Sequence, residues 1–386
     1  MITQNVSSRL KALRFPLIVG VVFIHAYTTK VLLEGGHQAG TEHVDFAVSF
    51  VRNLISQGIA RVAVPMFFLM SGYLFFQGYD GSMRAYRRKL QKRVRTLLVP
   101  FLFWNTATLM VYAAGEAIPA TRVYFANKYW PPVRSFTLRD YANAFLGLTT
   151  KYTMSFQFWF IRDLMVLALL APLFYLLRRR LTAIPLLLAL FGLWLTGTWP
   201  LLFPADEAIL FFVAGAYLST SDLDICALDH RRYSLGACFA LLLVVDAASE
   251  GKGVYAYAHK AMILVGLSFL WCLTGVVIQN VRARSWLFRL SASSFFVYAA
   301  HEPLLSIVRK SAFRMFAPRS GFAQLSLYFL IPACLITALV IISNLLSDKL
   351  PTFMAIITGG EVETSPQVVT SISPVELPIE ETAAAR

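Results

Sequence analysis

Apolar residues in this chain come in long continuous runs separated by short basic stretches. Runs of this kind can cross a hydrocarbon layer of about 30 Å as helices. Ten segments are long enough, or nearly so: 14–33, 59–79, 97–115, 156–177, 183–199, 205–220, 233–249, 258–279, 291–308 and 325–347. The sixth and seventh are short. The runs are continuously apolar rather than alternating, which favours helices over a barrel. The pattern predicts an all-α membrane protein, a bundle of about ten transmembrane helices, within a domain at 1–349. Residues 350–386 hold Pro, Ser, Thr, Val and Glu without helical period and read as a disordered cytoplasmic tail. No small-residue cleavage site follows the first run, so it reads as a retained span rather than a signal peptide.

Composition sharpens this picture. Of 386 residues, 57% are hydrophobic and only 15% are charged, and the mean hydropathy is +0.61. A soluble domain carries roughly 25% charged residues, so an ordinary soluble enzyme and a disordered chain are both excluded. The net charge of +14 suits either nucleic acid or the negative inner face of a membrane. The placement of the charges decides for membrane lipids and against nucleic acid. With ten spans, about twice as many Lys and Arg fall on the side that holds both termini as on the other. The densest cluster, Arg84 to Arg95, is on that side. Both termini are therefore expected in the cytoplasm, and the chain in the cell inner membrane. The four cysteines (Cys226, Cys238, Cys272, Cys334) are scattered with no C-x-x-C pair, which argues against a disulfide framework or a zinc site. The expectation is no metal.

Ionisable groups inside a bilayer are costly and mark function by default. Lys30, Arg61, Arg162 and Lys260 lie near outer span ends, where snorkelling explains them. His25 is deeper. It follows Arg14 by eleven residues, about three turns plus 20°, so the two share one helix face about 16 Å apart. That geometry suits an anion held at the membrane edge whose reactive end reaches inward. The plainer reading is a snorkelling arginine and a histidine bonded to a neighbouring helix. His301, in "SSFFVYAAHEPLL", would meet His25 at similar depth if the first and ninth spans are neighbours. Glu302 faces the same cavity only if the helix is distorted, and Pro303 loosens it there. Otherwise His301 is a structural histidine at a proline kink.

Other stretches carry alternatives of the same kind. "VPMFFLMSGYLFF" (64–76) places Ser71, Gly72 and Tyr73 where small residues let helices approach. "KRVRTLLVPFLFWN" (92–105) places Arg93 and Arg95 at the mouth of the third span, to clamp phosphates or to meet lipid headgroups. "FQFWFIRDL" (156–164) places Trp159 and Arg162 near an outer end, where an aromatic belt is the default. The loop 116–155 holds Tyr124, Phe125, Tyr129, Trp130, Phe136 and Tyr141, a belt or a set of faces for stacking on sugars. No nucleotide-hydrolysing or dinucleotide motif stands in a usable context.

Taken in order, these pieces resemble the acyltransferase-3 family of integral membrane acyltransferases. Arg14-x10-His25 looks like the family's R-x10-H signature. "VPMFFLMSGY", "KRVRTLLVPFLFW", "FWFIRDL" and "SSFFVYAAHEPLL" resemble its later motifs, covering spans one to four and nine. The first-span motif often carries an acid just before the arginine; this chain reads "RLKALR" there. The resemblance implies transfer of an acetyl (acyl) group from acetyl-CoA to a hydroxyl of an envelope polysaccharide or a lipid-linked glycan. It carries catalysis onto His25 and donor binding onto Arg14. Arg93 and Arg95 join Arg14 as candidate donor contacts, Trp159 and Arg162 are candidate substrate contacts, and His301 and Glu302 are candidate second acid/base groups. A neutral imidazole within hydrogen-bond reach of a sugar hydroxyl takes its proton as it attacks the thioester. An acyl-histidine variant stays open. The competing reading is a proton-coupled transporter or flippase of a glycan or lipid-linked sugar, which would also place His and Glu in mid-membrane.

Overall fold

The structure, a computed structural model, describes residues 3–27, 30–32, 38–40, 46–125, 130–150, 152–180, 183–249, 255–318 and 320–360. It is helical apart from a short antiparallel ribbon, β1 (Lys30–Leu32) with β2 (Gln38–Gly40). The main helices are α1 (Gln4–His25), α2 (Phe46–Phe76), α3 (Met83–Ala117), α4 (Trp159–Arg180), α5 (Ala183–Thr196) and α6 (Asp206–Thr220). They continue with α7 (Ala227–Ser249), α8 (Tyr255–Val277), α9 (Val281–Phe316), α10 (Gly321–Lys349) and α11 (Pro351–Thr358). Each of the ten expected segments falls on one of these helices. Among the described residues, six helices are long and apolar enough to cross a membrane, by length and composition. They include α2, α3, α7, α8, α10 and the stretch Phe156–Leu177.

Three boundaries differ from the sequence expectation. α1 starts earlier and stops at His25 rather than continuing to residue 33. The sequence that follows is Ala-Tyr-Thr-Thr-Lys, and β-branched threonines lose side-chain freedom in a helix. α9 runs eight residues past the expected 308, so Arg309, Lys310 and Arg314 are helical rather than loop residues. The chain after 350 opens with α11, which packs on α3: the Trp104 indole donates to the Ile357 carbonyl at 2.9 Å. Pro351 supplies a helix start. The rest of the expected tail, 361–386, lies outside the described residues.

Prolines bend the helices that matter most. α2 contains a π-helical turn at Asn53–Gly58 and a 3-10 turn at Ile59–Val62, shortly before Pro65. α3 carries a π turn at Val94–Leu98 before Pro100. In α9, Glu302 adopts φ −111°, ψ 137°, outside the helical region. Proline disfavours the α conformation in the residue before it. The anticipated distortion at Glu302-Pro303 is therefore present.

Close packing sets the frame. A Cβ on Gly72 would meet the Phe212 carbonyl, and one on Gly215 would meet the Leu69 carbonyl, so α2 and α6 touch backbone to backbone. α1 and α2 run antiparallel: Ser56 donates to the Phe23 carbonyl at 2.6 Å, and Gly20 sits against Ala60. α1 and α9 run parallel, with Lys11 against Phe288 at one end and His25 against His301 at the other. The aromatics of the 116–155 loop pack on one another around Val133, Ala144 and Met154: Trp130 lies 6.2 Å from Phe136, and Phe136 5.3 Å from Tyr141. Tyr129 lies outside the described residues.

Candidate active site

Lys11, Arg14, Ile18, Val21 and His25 recur on α1 at alternating steps of three and four. That spacing forms one stripe on a helix. All five line a single cavity of about 1250 Å³. The stripe runs for about 21 Å at 1.5 Å per residue. Its two ends differ in chemistry. At one end, Lys11 and Arg14 are joined by Lys89, Lys92 and Arg93 from α3. The Lys11 ammonium lies 4.8 Å from the Phe288 ring centre, and Lys89 and Arg93 lie 5.7 and 5.8 Å from that of Phe75. Phe75 closes α2 and Phe288 opens α9, so the parallel and antiparallel pairings put these five cations at one end, while Arg61 of α2, also on the wall, stands apart from them and donates to the Gln57 side chain at 2.8 Å. None of these five side chains has a carboxylate partner among the described ion pairs.

His25 is at the other end. As the last residue of α1 it presents a free carbonyl, which accepts a 2.7 Å hydrogen bond from the Arg309 guanidinium. A cation there also complements the negative end of the helix dipole. The imidazole packs edge-on against Phe156 at 4.6 Å and stacks on His301 at 5.3 Å, with the planes 21° apart. His301 is fully buried behind it, and its Nδ1 lies 2.7 Å from the Tyr298 carbonyl. Its Nε2 and the Oε1 of buried Glu302 have no hydrogen-bond partner among the described residues. Unpaired buried polar atoms are rare and call for a cause.

The kink beside His301 is supported from α4's side. Pro303 has no N–H to give the Ala299 carbonyl. The Gln157 amide fills that role, donating to the Ala299 and Glu302 carbonyls at 3.2 Å each. The Tyr298 hydroxyl returns a 2.7 Å bond to the Gln157 carbonyl. Gln157 and Tyr298 themselves form part of the cavity wall.

The structure thus brings Arg14, His25, Arg93 and Trp159 to one cavity, with His301 directly behind His25. Arg95, Arg162 and Glu302 are not on its wall. Arg95 is exposed; it stands two residues from Arg93, about 200° around a helix. Arg162 is buried, not snorkelling. It pairs with Asp163 at 3.0 Å, donates to the Leu146 carbonyl at 3.1 Å and stacks over Phe203 at 4.6 Å. Asp163 in turn accepts the Ala205 N–H at 2.7 Å, tying α4 to the start of α6. Sequence reasoning passed over Lys11, Lys89, Lys92, Gln157 and Arg309. Lys11 and Lys89 were legible as helical-period neighbours of Arg14 and Arg93, and Lys92 as that of Lys89; Gln157 and Arg309 act through tertiary contacts that no local pattern announces. Among the described residues no group of three or more His, Cys, Asp or Glu is placed to hold a metal ion.

Comparison with known proteins gives the chemistry. The model of the acyltransferase-3 family, described as an acyltransferase domain, matches residues 8–350. The succinoglycan biosynthesis protein ExoH of Rhizobium meliloti (strain 1021) is 27% identical over 367 residues, which cover 92% of this chain and 93% of that protein. No solved structure matches the chain. With nearly its whole length inside the family's model, and apolar helices enclosing the cavity, the chain belongs to the acyltransferase-3 family and is a multi-pass membrane O-acyltransferase.

Proposed function

We propose that this protein moves an acetyl group from acetyl-CoA to a hydroxyl of an envelope polysaccharide or its lipid-linked precursor, with His25 as the base. One observation carries the reading: a single cavity joins five cations to an imidazole about 21 Å further along one helix face. Acetyl-CoA fits that polarity. Its phosphates match Lys11, Arg14, Lys89, Lys92 and Arg93, and its thin pantetheine arm suits the Ile18 and Val21 stretch. The name of the relative, a succinoglycan biosynthesis protein, favours an extracellular polysaccharide as acceptor.

In this reading His25 takes the proton of the acceptor hydroxyl as its oxygen attacks the thioester carbon. The carbon–sulfur bond breaks, and His25 returns a proton to the departing thiolate. His301 fixes the ring from behind, and Arg309 fixes the backbone of its residue. Glu302, at the kink, is the neighbouring acid/base group. Trp159 offers a face to the acceptor, while Arg162 acts through Asp163 on the frame. Arg95, exposed beside the mouth, draws the polyanion in without touching it. With ten crossings of an inner membrane, the excess of Lys and Arg on one side supports a cytoplasmic cationic end and cytoplasmic termini, on the side where acetyl-CoA is made. Mass spectrometry of envelope glycans from cells with and without the gene tests this. The expected result is the loss of an acetyl increment on deletion; an unchanged spectrum, or loss of a larger acyl group, contradicts the substrate assignment.

A further inference from the structure

A second histidine faces the same cavity and belongs to none of the motifs above. His259, in the first turns of α8, lines the cavity together with Glu207 from the start of α6. Its Nδ1 lies 3.1 and 3.3 Å from the two carboxylate oxygens of Asp246 on α7. Asp246 is fully buried, whereas His259 keeps about a fifth of its side chain exposed. A carboxylate can only accept, so Nδ1 is the donor, which in the neutral imidazole leaves Nε2 as an acceptor. Tyr255 stacks on the imidazole at 5.4 Å and limits its rotation.

The depth of this pair follows from the helix packing. α8 runs antiparallel to α1: Gly275 presses on the Arg9 guanidinium, while Gly266 meets Val62, two residues from the Ala60 that packs on Gly20. His259 precedes Gly275 by sixteen residues, and His25 follows Arg9 by sixteen. At equal rise the two histidines stand at the same level, about 24 Å from the Arg9–Gly275 contact. An oriented imidazole and a carboxylate therefore share the imidazole end of the cavity, away from the cluster of five cations, with Arg61 the one further cation among the described residues of its wall.

The geometry points to an acceptor subsite: His259, oriented by Asp246, receives a hydrogen bond from a hydroxyl of the sugar being acylated, and Glu207 receives another. His259 and Glu207 are binding residues here and Asp246 is a positioning residue. This inference rests on the donor and acceptor assignment proposed above. Its alternative is a structural clasp between α7 and α8. Steady-state transfer from radiolabelled acetyl-CoA to de-O-acylated envelope polysaccharide distinguishes the two. His259→Gln and Asp246→Ala are expected to raise KM for the polysaccharide tenfold or more while moving KM for acetyl-CoA less than twofold. Asp246→Asn, which still offers Nδ1–H a carbonyl oxygen, should fall between wild type and Asp246→Ala. A polysaccharide KM within twofold of wild type in both variants overturns the subsite, as does a parallel loss in both substrates. Absence of transfer by the wild-type protein overturns the substrate reading itself, and the subsite with it.

Discussion

His25 is held at three points: Phe156 at the ring's edge, His301 on its face, and Arg309 on the backbone carbonyl. The residue also lines the cavity that Arg14 shares. A charged hydrogen bond of the sort Arg14 would make to a phosphate is worth about 1.5–3 kcal/mol. Arg14→Ala should therefore raise KM for acetyl-CoA about 10- to 100-fold, with Arg93→Ala in the same direction and Arg95→Ala smaller than either. Steady-state kinetics with varied acetyl-CoA measure it; equal effects at Arg93 and Arg95 would contradict the cavity assignment. Gln157→Leu removes the donor that satisfies two carbonyls at the α9 kink. Leaving buried acceptors unpaired costs about 1–3 kcal/mol, and a lowered melting temperature in detergent is the expected readout. The alignment of Arg14 with His25 was legible from the sequence, because eleven residues return almost to the same helix face. Gln157 and Arg309 were not, because each acts on a carbonyl that becomes orphaned only in the folded chain.

Helix positions were largely legible, since continuous apolar runs leave little choice inside a bilayer. The ends were not. α1 closes on His25, which turns a residue expected in mid-span into a helix terminus whose carbonyl needs a partner. The sequence also hid which helices touch. Ser71-Gly72 in α2 was readable as a close-approach signal, but its partner Gly215 lies in a short helix with no marked pattern of its own. Gly215→Val would drive side-chain atoms into the Leu69 backbone. Overpacking of that kind costs about 1–3 kcal/mol or more. The variant should melt lower in detergent than wild type, and an unshifted melting curve would mean that α2 and α6 do not meet as described. Average composition over 350–386 hides α11, because Pro351–Thr358 is a short apolar patch that docks on α3.

At the scale of the molecule, the basic loops and the cationic end of the cavity coincide. Lys11 and Arg14 on α1, and the Arg84–Arg95 stretch of α3, are on the side that the charge bias assigns to the cytoplasm. A reporter active only in the cytoplasm, fused after Arg386, should work, and one placed in the 116–155 loop should not; the reverse pattern would turn the donor end of the cavity away from its supply. In the proposed reading the fold offers a polyanionic thioester one face of the membrane and a sugar the other, with His25 where the two meet. The most direct test of that claim is label transfer from radiolabelled acetyl-CoA to de-O-acylated polysaccharide by the purified protein, wild type beside His25→Ala. The account predicts transfer by the wild type and a loss of at least a hundredfold in kcat for the variant, with KM for acetyl-CoA little changed. Transfer by His25→Ala at the wild-type rate would contradict it.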